Sequence, residues 1–390
     1  MTDIRYDNCG QVLELLRGSA LSRADISRQT GLSRSTISAI IAELTGLGLV
    51  EETGDVNHRG GRPGIMLQLA GDQFALIGIE LGRARTDVVV VDLNGHALSD
   101  RELEGIDPSA PHETLQHLVS AIESLQTQVS GRTILGVGVG VSSPIDPARP
   151  GLLAHAILPG WEDFNLIQEL ETHCGLPVTL ENDANMGAFG EYWWSGRTDG
   201  VVFVKVGTGV GAGILAGGRL YHGIGGAAGE IGHISITPDG PLCVCGQSGC
   251  LVKYVGQDAV QEAAIRAGMA PDSPDLIGDF VGQYDLGHVD VCREVNTINQ
   301  ALATALTSVV NVVAPRVLVL AGSPLCFSDA FVLALESRLE QQTLFSLGSQ
   351  VRVESTSHGR QAIAMGAAGH MMASLFQDIR RLPHPFKVSA

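Results

Sequence analysis

Three cysteines and one histidine in the middle of the chain restrict how that region can fold. Cys243, Cys245 and Cys250 lie within eight residues of one another, and nine residues separate His233 from the first of them. Three thiolates and one imidazole make a closed tetrahedral zinc site, and the glycines of Cys-x-Cys-Gly-x-x-Gly-Cys allow the chain to turn so that the sulfurs converge. The pattern predicts Zn²⁺ held by these four residues. The alternative is a chance cluster of buried cysteines.

Charge is distributed unevenly along the 390 residues. The formal net charge of −17 argues against a general nucleic-acid coat. Residues 1–70 contain seven Arg and eight Asp or Glu, so they carry −1 and the remaining 320 residues carry −16. We therefore expect any contact with DNA to be local and to lie at the amino end.

Hydrophobic residues make up 44% of the chain, which is enough for a large buried core in two or three domains. Met1–Leu16 lacks the apolar stretch of a signal peptide, and the apolar run Val309–Leu320 is too short and too polar to cross a membrane. These features predict a cytoplasmic protein with no membrane partner. Cysteines stay reduced in that compartment, so a close cysteine cluster indicates metal rather than disulfide.

The first 71 residues have the pattern of a helical DNA-binding domain. Three helices are predicted, Tyr6–Arg17, Arg23–Thr30 and Arg34–Leu44, and Ser22 and Ser33 are suited to cap the second and third. The helices would share a small apolar core, which is formed by Ala24, Ile26, Ile37, Ile40, Ile41 and Leu44.

The predicted DNA-reading surface combines a helix start with a wing. Short polar and basic groups begin the third helix, where a recognition helix meets base edges and phosphates: Arg34, Ser35, Thr36 and Ser38. Strands Leu47–Glu52 and Gly64–Leu69 would flank a glycine-rich tip whose Arg59 and Arg62 can enter a minor groove. The alternative is a three-helix module that binds another protein.

From Phe74 onward, buried strands alternate with helices in two sets, which suggests two lobes with a cleft between them. The predicted strands are Leu76–Glu80, Thr86–Asp92, Leu135–Ser142, Pro177–Leu180, Val201–Val206, Ala212–Leu215 and Arg316–Ala321. The predicted helices are His112–Gln128, Asn296–Val313, Ser328–Glu340 and Gly359–Phe376. The predicted domains are a winged helix-turn-helix at 1–71, a first lobe at 72–182 plus 371–390, and a second lobe with the zinc site at 183–370.

Two further motifs each have a possible functional role and a simpler structural interpretation. After the strand that ends near Lys205, backbone N–H groups and a hydroxyl could bind an oxyanion, through Gly207, Thr208, Gly209 and Gly211; a tight hairpin is the alternative. At the end of another strand, Asn182 and Asp183 could hold sugar hydroxyls with the carboxylate as a base, or could form a plain turn or helix cap.

In order and spacing, the glycine loop, Gly229–His233 and the cysteine block resemble the signature of the ROK family (repressors, open reading frames and sugar kinases). The similarity covers about residues 72–380, and Leu158–Trp161 is similar to the family's sugar-side loop. The amino end resembles the winged helix-turn-helix of the family's repressor branch, which includes xylose and N-acetylglucosamine repressors.

This resemblance implies an α/β fold, in which an N-terminal winged helix-turn-helix precedes a two-lobed actin-like ATPase (sugar kinase-like) domain. It implies sugar contacts from Asn182, Asp183, Glu230 and His233, with Asp183 where the family keeps its catalytic base. It also implies that the ring of His233 reaches zinc through one nitrogen and sugar through the other.

Two departures from the kinase pattern bear on activity. Arg83 and Ala84 stand where kinase members have Gly and Thr to bind nucleotide phosphates, and Val252 stands where a sugar-binding Glu is usual. Because phosphoryl transfer depends on positioning, we predict little or no kinase activity and treat Asp183 as a vestigial base.

The resulting prediction is a sugar-responsive DNA-binding regulator, a repressor, that forms a homodimer or homotetramer. Its partners would be operator DNA and a monosaccharide or sugar derivative as effector. One alternative is a bifunctional ATP-dependent sugar kinase that also binds DNA. Another is an interaction protein with no ligand.

Overall fold

In the computed structural model of the chain, three helices and a small antiparallel sheet form the amino-terminal region. The structure describes residues 3–57, 64–83, 85–104, 106–107, 109–149, 160–161, 164–197, 200–344 and 347–383. The amino-terminal elements are α1 (Asp3–Gly18), β1 (Leu21–Ser22), α2 (Arg23–Thr30), α3 (Arg34–Gly46), β2 (Val50–Asn57) and β3 (Gly64–Leu69). The strand order in this sheet is β1-β3-β2.

The predicted caps of the second and third helices are confirmed. The Ser22 hydroxyl accepts from the N–H of Asp25 in a capping box, and the Ser33 hydroxyl accepts from the N–H of Thr36 at 3.1 Å. Gly31 ends α2 with φ 73°, a left-handed conformation that glycine adopts without strain. The helix-turn-helix is therefore specified by local hydrogen bonds that the sequence already shows.

Two details of the amino-terminal prediction are wrong. Ala24 is exposed rather than part of the core, because it lies in the first turn of α2 and only Ile26 of that helix is buried. The first wing strand begins at Val50 and not at Leu47, since residues after α3 first complete a turn in which the N–H of Leu49 donates to Leu44. The other five predicted core residues are buried.

Five strands form the sheet of the next region, in the order β6-β5-β4-β7-β8. They are β4 (Phe74–Leu81), β5 (Thr86–Asp92), β6 (Ala97–Leu103), β7 (Thr133–Val141) and β8 (Val178–Asn182), with helices α4 (Pro111–Gln128) and α5 (Leu166–Cys174). Strand β4 pairs antiparallel with β5 and parallel with β7. Every residue of β4 and β5 is buried, which is typical of central strands covered on both faces.

A second five-stranded sheet repeats this order as β11-β10-β9-β12-β13. Its strands are β9 (Val201–Val206), β10 (Val210–Ala216), β11 (Arg219–Leu220), β12 (Val317–Gly322) and β13 (Arg352–Ser355). The helices that follow α5 along the chain are α6 (Asp183–Ser195), α7 (Val252–Val255), α8 (Gln257–Arg266), α9 (Leu276–Asp285), α10 (Val289–Val313), α11 (Asp329–Gln342) and α12 (Ala362–Gln377). Again the first strand pairs antiparallel with the second and parallel with the fourth.

The described residues fall into two compact units. The first comprises Met1–Ser143, Arg149–Glu181 and Ile363–Ala390, and the second comprises Pro144–Ala148 and Asn182–Ala362. The chain thus returns to the first unit near residue 363, whereas the sequence placed that return at 371. The reason is close packing within the first unit, where Gly78 and Gly138 leave no room for a Cβ beside the backbone of α12.

Helix α1 packs on the end of α12 within the first unit. A Cβ on Gly10 would overlap the carbonyl of Phe376, and the guanidinium of Arg380 lies 5.2 Å from the ring centre of Tyr6. The helix-turn-helix region is therefore in direct contact with the closing helix. Among the described residues, no helix has the length and apolar character that crossing a membrane would require.

Candidate functional sites

Asn182 and Asp183 form the junction between strand β8 and helix α6 without an intervening loop. The Asn182 side chain accepts from the N–H of Asn185 at 3.1 Å, so Asn182 is the helix cap that the sequence allowed as an alternative. The Asp183 carboxylate accepts from the N–H of Ala184 at 2.7 Å through Oδ1. A carboxylate in the first turn also interacts favourably with the helix dipole.

Lys205 reaches the same carboxylate from the neighbouring sheet of the second unit. Its Nζ donates to Oδ2 of Asp183 at 2.6 Å, and the two side chains are only 17% and 8% exposed. Sequence reasoning did not assign Lys205 to the site. The signal was the appearance of a charged residue at the last but one position of an otherwise apolar strand, directly before the glycine loop.

Glu230 and His233 lie beside this pair in the second unit. Burial raises the pKa of the Glu230 carboxyl, the nearby Asp183 carboxylate raises it further, and His233 opposes the shift. The backbone before Glu230 is fixed because the N–H of Ala212 donates to the carbonyl of Gly229 at 2.7 Å. The structure therefore brings together the predicted residues Asp183, Glu230 and His233, and adds Lys205.

The predicted metal ligands converge in one place. The ligand atoms of His233, Cys243, Cys245 and Cys250 all lie within 4.8 Å of one another, so they form a cluster that could hold a metal ion. Nδ1 of His233 is 3.7 Å from Sγ of Cys243, and Sγ of Cys245 is 3.6 Å from Sγ of Cys250. Burial raises the pKa of Cys250 to about 12, while a backbone hydrogen bond from Gln247 lowers the pKa of the exposed Cys245.

Local backbone bonds explain why these four residues meet. The N–H of Cys243 donates to the carbonyl of Gln247 at 2.8 Å, and an antiparallel bridge pairs Ser235 with Cys250. Gly246 and Gly249 have φ values of 88° and 72°, which are left-handed conformations that favour glycine. The predicted role of glycine in turning this segment is confirmed.

The glycine loop that begins at Gly207 and the stretch that contains Arg83 both form turns between consecutive strands. Gly207 donates its N–H to the carbonyl of Gly209 at 2.8 Å, which gives the tight hairpin, and Thr208 at its tip is exposed. Between β4 and β5, the N–H of Gly82 donates to Arg85 at 3.0 Å, and Arg83 is exposed. Three residues named in the sequence analysis lie outside the described part of the chain, in addition to Leu158 and Pro159 of the sugar-side loop: Arg59, Arg62 and Ala84.

The start of α3 presents the predicted DNA-reading groups. Arg34, Ser35 and Ser38 are exposed, and Thr36 is half-buried. Arg5 and Arg28 are held by Glu43 and Asp25, whereas within the described ranges Arg34 forms no ion pair. An exposed and unpaired guanidinium at the start of a capped helix can contact a phosphate or a base edge.

The chain combines an amino-terminal helix-turn-helix with two five-stranded sheets of identical strand order. This combination is that of a DNA-binding regulator with a sugar kinase-like α/β region. Comparison with known families agrees with this class. The ROK family model matches residues 76–373, and the chain therefore belongs to the ROK family. A MarR family model matches residues 7–59, which contain most of α1 and all of α2 and α3. The predicted family and fold class are both confirmed.

Similar proteins include both repressors and kinases. The xylose repressor of Bacillus subtilis (strain 168) is 27% identical over 357 residues, covering 90% of this chain and 91% of the relative. A glucokinase of Streptomyces coelicolor is 34% identical over 204 residues, covering 52% of this chain and 62% of the relative. Similarity to the repressor thus covers nine tenths of the chain, while similarity to the kinase covers about half of it.

Solved structures share the fold over different lengths of the chain. A ROK family transcriptional regulator, a homolog of the E. coli MLC protein, has a TM-score of 0.80 at 24% identity and covers 96% of this chain and 97% of its own. A ROK family glucokinase from Streptomyces griseus, in complex with glucose and AMPPNP, has a TM-score of 0.65 at 27% identity. It covers 75% of this chain and 98% of its own.

The ion pair at α6 leads to an asymmetric stability prediction. Asp183→Asn should lower the free energy of unfolding by about 1–3 kcal/mol, because it removes the anion that compensates the Lys205 ammonium at the positive end of a helix. Lys205→Met should cost less, since Asp183 keeps the Ala184 N–H and the helix dipole. Chemical denaturation of both variants measures the difference, with the exposed Lys253→Met as control. Equal costs, or the reverse order, would show that the pair is not held in this way.

Proposed function

We propose that this protein is a DNA-binding transcriptional repressor whose second unit binds a monosaccharide as effector without phosphorylating it at kinase rates. The observation that carries the proposal is the exposed, capped start of α3 in a chain that also contains the Asp183–Glu230–His233 cluster. The similarity to xylose repressors over 90% of the chain supports it and makes D-xylose the first sugar to test. The proposed functional parts are 1–71 for DNA and 72–390 for the effector.

The proposed sugar site uses Asn182, Asp183, Glu230 and His233. Carboxylate, amide and imidazole groups together offer both donors and acceptors to sugar hydroxyls. Because Asp183 and Glu230 are buried or half-buried, a ligand that lacks a matching hydroxyl leaves a polar group unpaired, at considerable cost in affinity. Such a site can distinguish related monosaccharides strongly.

Arg83 underlies the proposed lack of kinase turnover. Its side chain stands in the turn after β4 at the position where the kinase pattern has glycine for close phosphate approach. The residues proposed as the remaining phosphate loop are Gly207, Thr208, Gly209 and Gly211, and the N–H of Gly207 is already bonded within the hairpin. Without a positioned phosphoryl donor, there is no phosphoryl transfer in which Asp183 could act as a base.

The metal proposed for the cysteine cluster is Zn²⁺, held by His233, Cys243, Cys245 and Cys250. With Zn–S bonds of about 2.3 Å, tetrahedral sulfurs lie about 3.8 Å apart, close to the 3.6 Å between Cys245 and Cys250. Bound zinc would supply folding energy and would fix the ring of His233 through Nδ1, the nitrogen near Cys243. The other ring nitrogen would then be available to the sugar.

DNA binding is proposed for the start of α3, through Arg34, Ser35, Thr36 and Ser38, and for Arg59 and Arg62 in the wing. A regulator with one helix-turn-helix per chain commonly reads two half-sites through a symmetric assembly. We therefore propose a homodimer or homotetramer that binds a palindromic operator.

Sugar binding without turnover gives the first test of this proposal. Thermal unfolding should shift upward with D-xylose or another sugar of a panel of hexoses, pentoses and N-acetyl sugars, and ATP should add nothing. A parallel ATP-consumption assay should stay at background for every sugar. Turnover at ordinary kinase rates of about 1–100 s⁻¹ would instead establish a bifunctional kinase. The absence of any shift would leave an interaction protein without a ligand.

The metal cluster gives the second test. The purified protein should contain one zinc per chain, and Cys245→Ser should lose it, because a three-ligand remnant binds zinc less tightly than the closed set. Cys292→Ser is the matched control, since Cys292 lies outside the cluster. Elemental analysis measures both variants. Zinc-free wild-type protein, or full zinc in the Cys245 variant, would contradict the assignment.

The recognition helix gives the third test. Arg34→Ala should weaken binding to a DNA fragment selected by the wild-type protein from a random library. Loss of a phosphate contact should also reduce the salt slope of binding by about one, whereas loss of a guanine contact should cost about 1–3 kcal/mol of base discrimination. Arg293→Ala is the control, because Arg293 is an exposed arginine of the second unit. Unchanged affinity, slope and discrimination in the Arg34 variant would refute the assignment.

A further inference from the structure

Lys205 occupies a strand face that points toward helix α6. Alternate residues of β9, Val202, Val204 and Val206, belong to the hydrophobic core of the second unit. The opposite face carries Phe203 and Lys205, and α6 lies so close there that a Cβ on Gly187 would overlap the Phe203 ring. The direction of Lys205 is therefore set by the strand register and by the packing of α6.

The position is electrostatically unusual for a lysine. The amino end of a helix carries partial positive charge, so an ammonium group there is disfavoured unless an anion compensates it. Asp183 provides that anion at 2.6 Å, and its second oxygen accepts the N–H of Ala184. The half-buried Glu230 carboxyl lies near enough to the Asp183 carboxylate for that charge to raise the pKa of Glu230, after burial and against His233. Lys205 thus belongs to a cluster of charged side chains that includes the proposed sugar-binding residues Asp183 and Glu230.

We propose that Lys205 is itself a sugar-binding residue, which acts with Asp183 as a donor–acceptor pair for neighbouring hydroxyls of the effector. This inference rests on the proposed function. A hydroxyl can donate and accept, so the ammonium donates to one hydroxyl oxygen while the carboxylate accepts the hydrogen of the next. Hydrogen bonds to charged groups are among the stronger ones that a ligand can gain. The pair therefore favours a sugar with two adjacent hydroxyls.

Each oxygen of the Asp183 carboxylate already accepts one hydrogen bond, one from Lys205 and one from Ala184. A carboxylate oxygen has two lone pairs, so each can still accept from a sugar hydroxyl. The existing contacts therefore orient the carboxylate for a hydroxyl of the effector without blocking it.

Titration calorimetry with D-xylose, or with the sugar of the panel that shifts unfolding most, tests the inference. Lys205→Met should weaken binding at least about tenfold, since a charged hydrogen-bond donor is lost. Lys253→Met, an exposed lysine of the same unit, should leave the affinity unchanged. Lys205→Gln, which keeps a donor but not the charge, provides a second variant should the methionine variant fail to fold.

Monodeoxy analogues of the same sugar distinguish contact from a purely structural role. For the analogue that lacks the hydroxyl held by Lys205, wild type and the Lys205 variant should bind within about twofold of each other, because the contact is already absent. A variant that weakens every analogue evenly, or that binds the parent sugar normally, would overturn the inference and leave the proposed function standing. A wild-type protein that binds no sugar of the panel would contradict both.

Discussion

The close approach of helix α6 to the β9–β10 hairpin is the constraint on which the second unit depends. A Cβ on Gly213 would overlap the carbonyl of Ala184, and one on Gly187 would overlap the ring of Phe203. These two glycines therefore let the first turn of α6 lie directly on the sheet. That contact brings Asp183 within hydrogen-bond distance of Lys205. The candidate site is thus a consequence of backbone packing, and larger residues at either glycine would displace it.

The segment from Gly229 to Cys250 has little regular structure with which to hold its shape. It contains one short 3-10 turn, Ile231–His233, and two isolated bridges. Leu242 is 72% exposed and Val244 is fully exposed, so neither contributes to a core beneath the loop. Metal ligation would supply the missing stabilisation. Because His233 is one of the four ligands, the metal would also fix the backbone next to Glu230. This is why we assign the proposed zinc a structural role rather than a catalytic one.

Local signals accounted for much of what the sequence predicted correctly. The caps at Ser22 and Ser33 and the cysteine spacing act over a few residues, so a single sequence displays them. Strand β6 was not predicted because its residues are mostly exposed and polar, and α8 and α9 were missed as short helices among loops. The lone charge in an apolar strand marks Lys205 in the sequence, but its partner could not be derived there, since Asp183 lies 22 residues earlier in the chain. The specific roles of the site residues stay predictions.

Helix α12 contacts the helix-turn-helix region within the first unit. The chain passes from the second unit to the first at Ala362 and Ile363, and the helix ends where Phe376 contacts Gly10 of α1.

Linkage gives the most direct test of the central claim, that one chain couples sugar binding to operator binding. Operator affinity should be measured with and without saturating sugar, and sugar affinity with and without saturating operator, at one salt concentration. The account predicts that both affinities change by the same factor, because coupling between two equilibria is reciprocal. Tight binding of sugar and of operator with no effect of either on the other would contradict it.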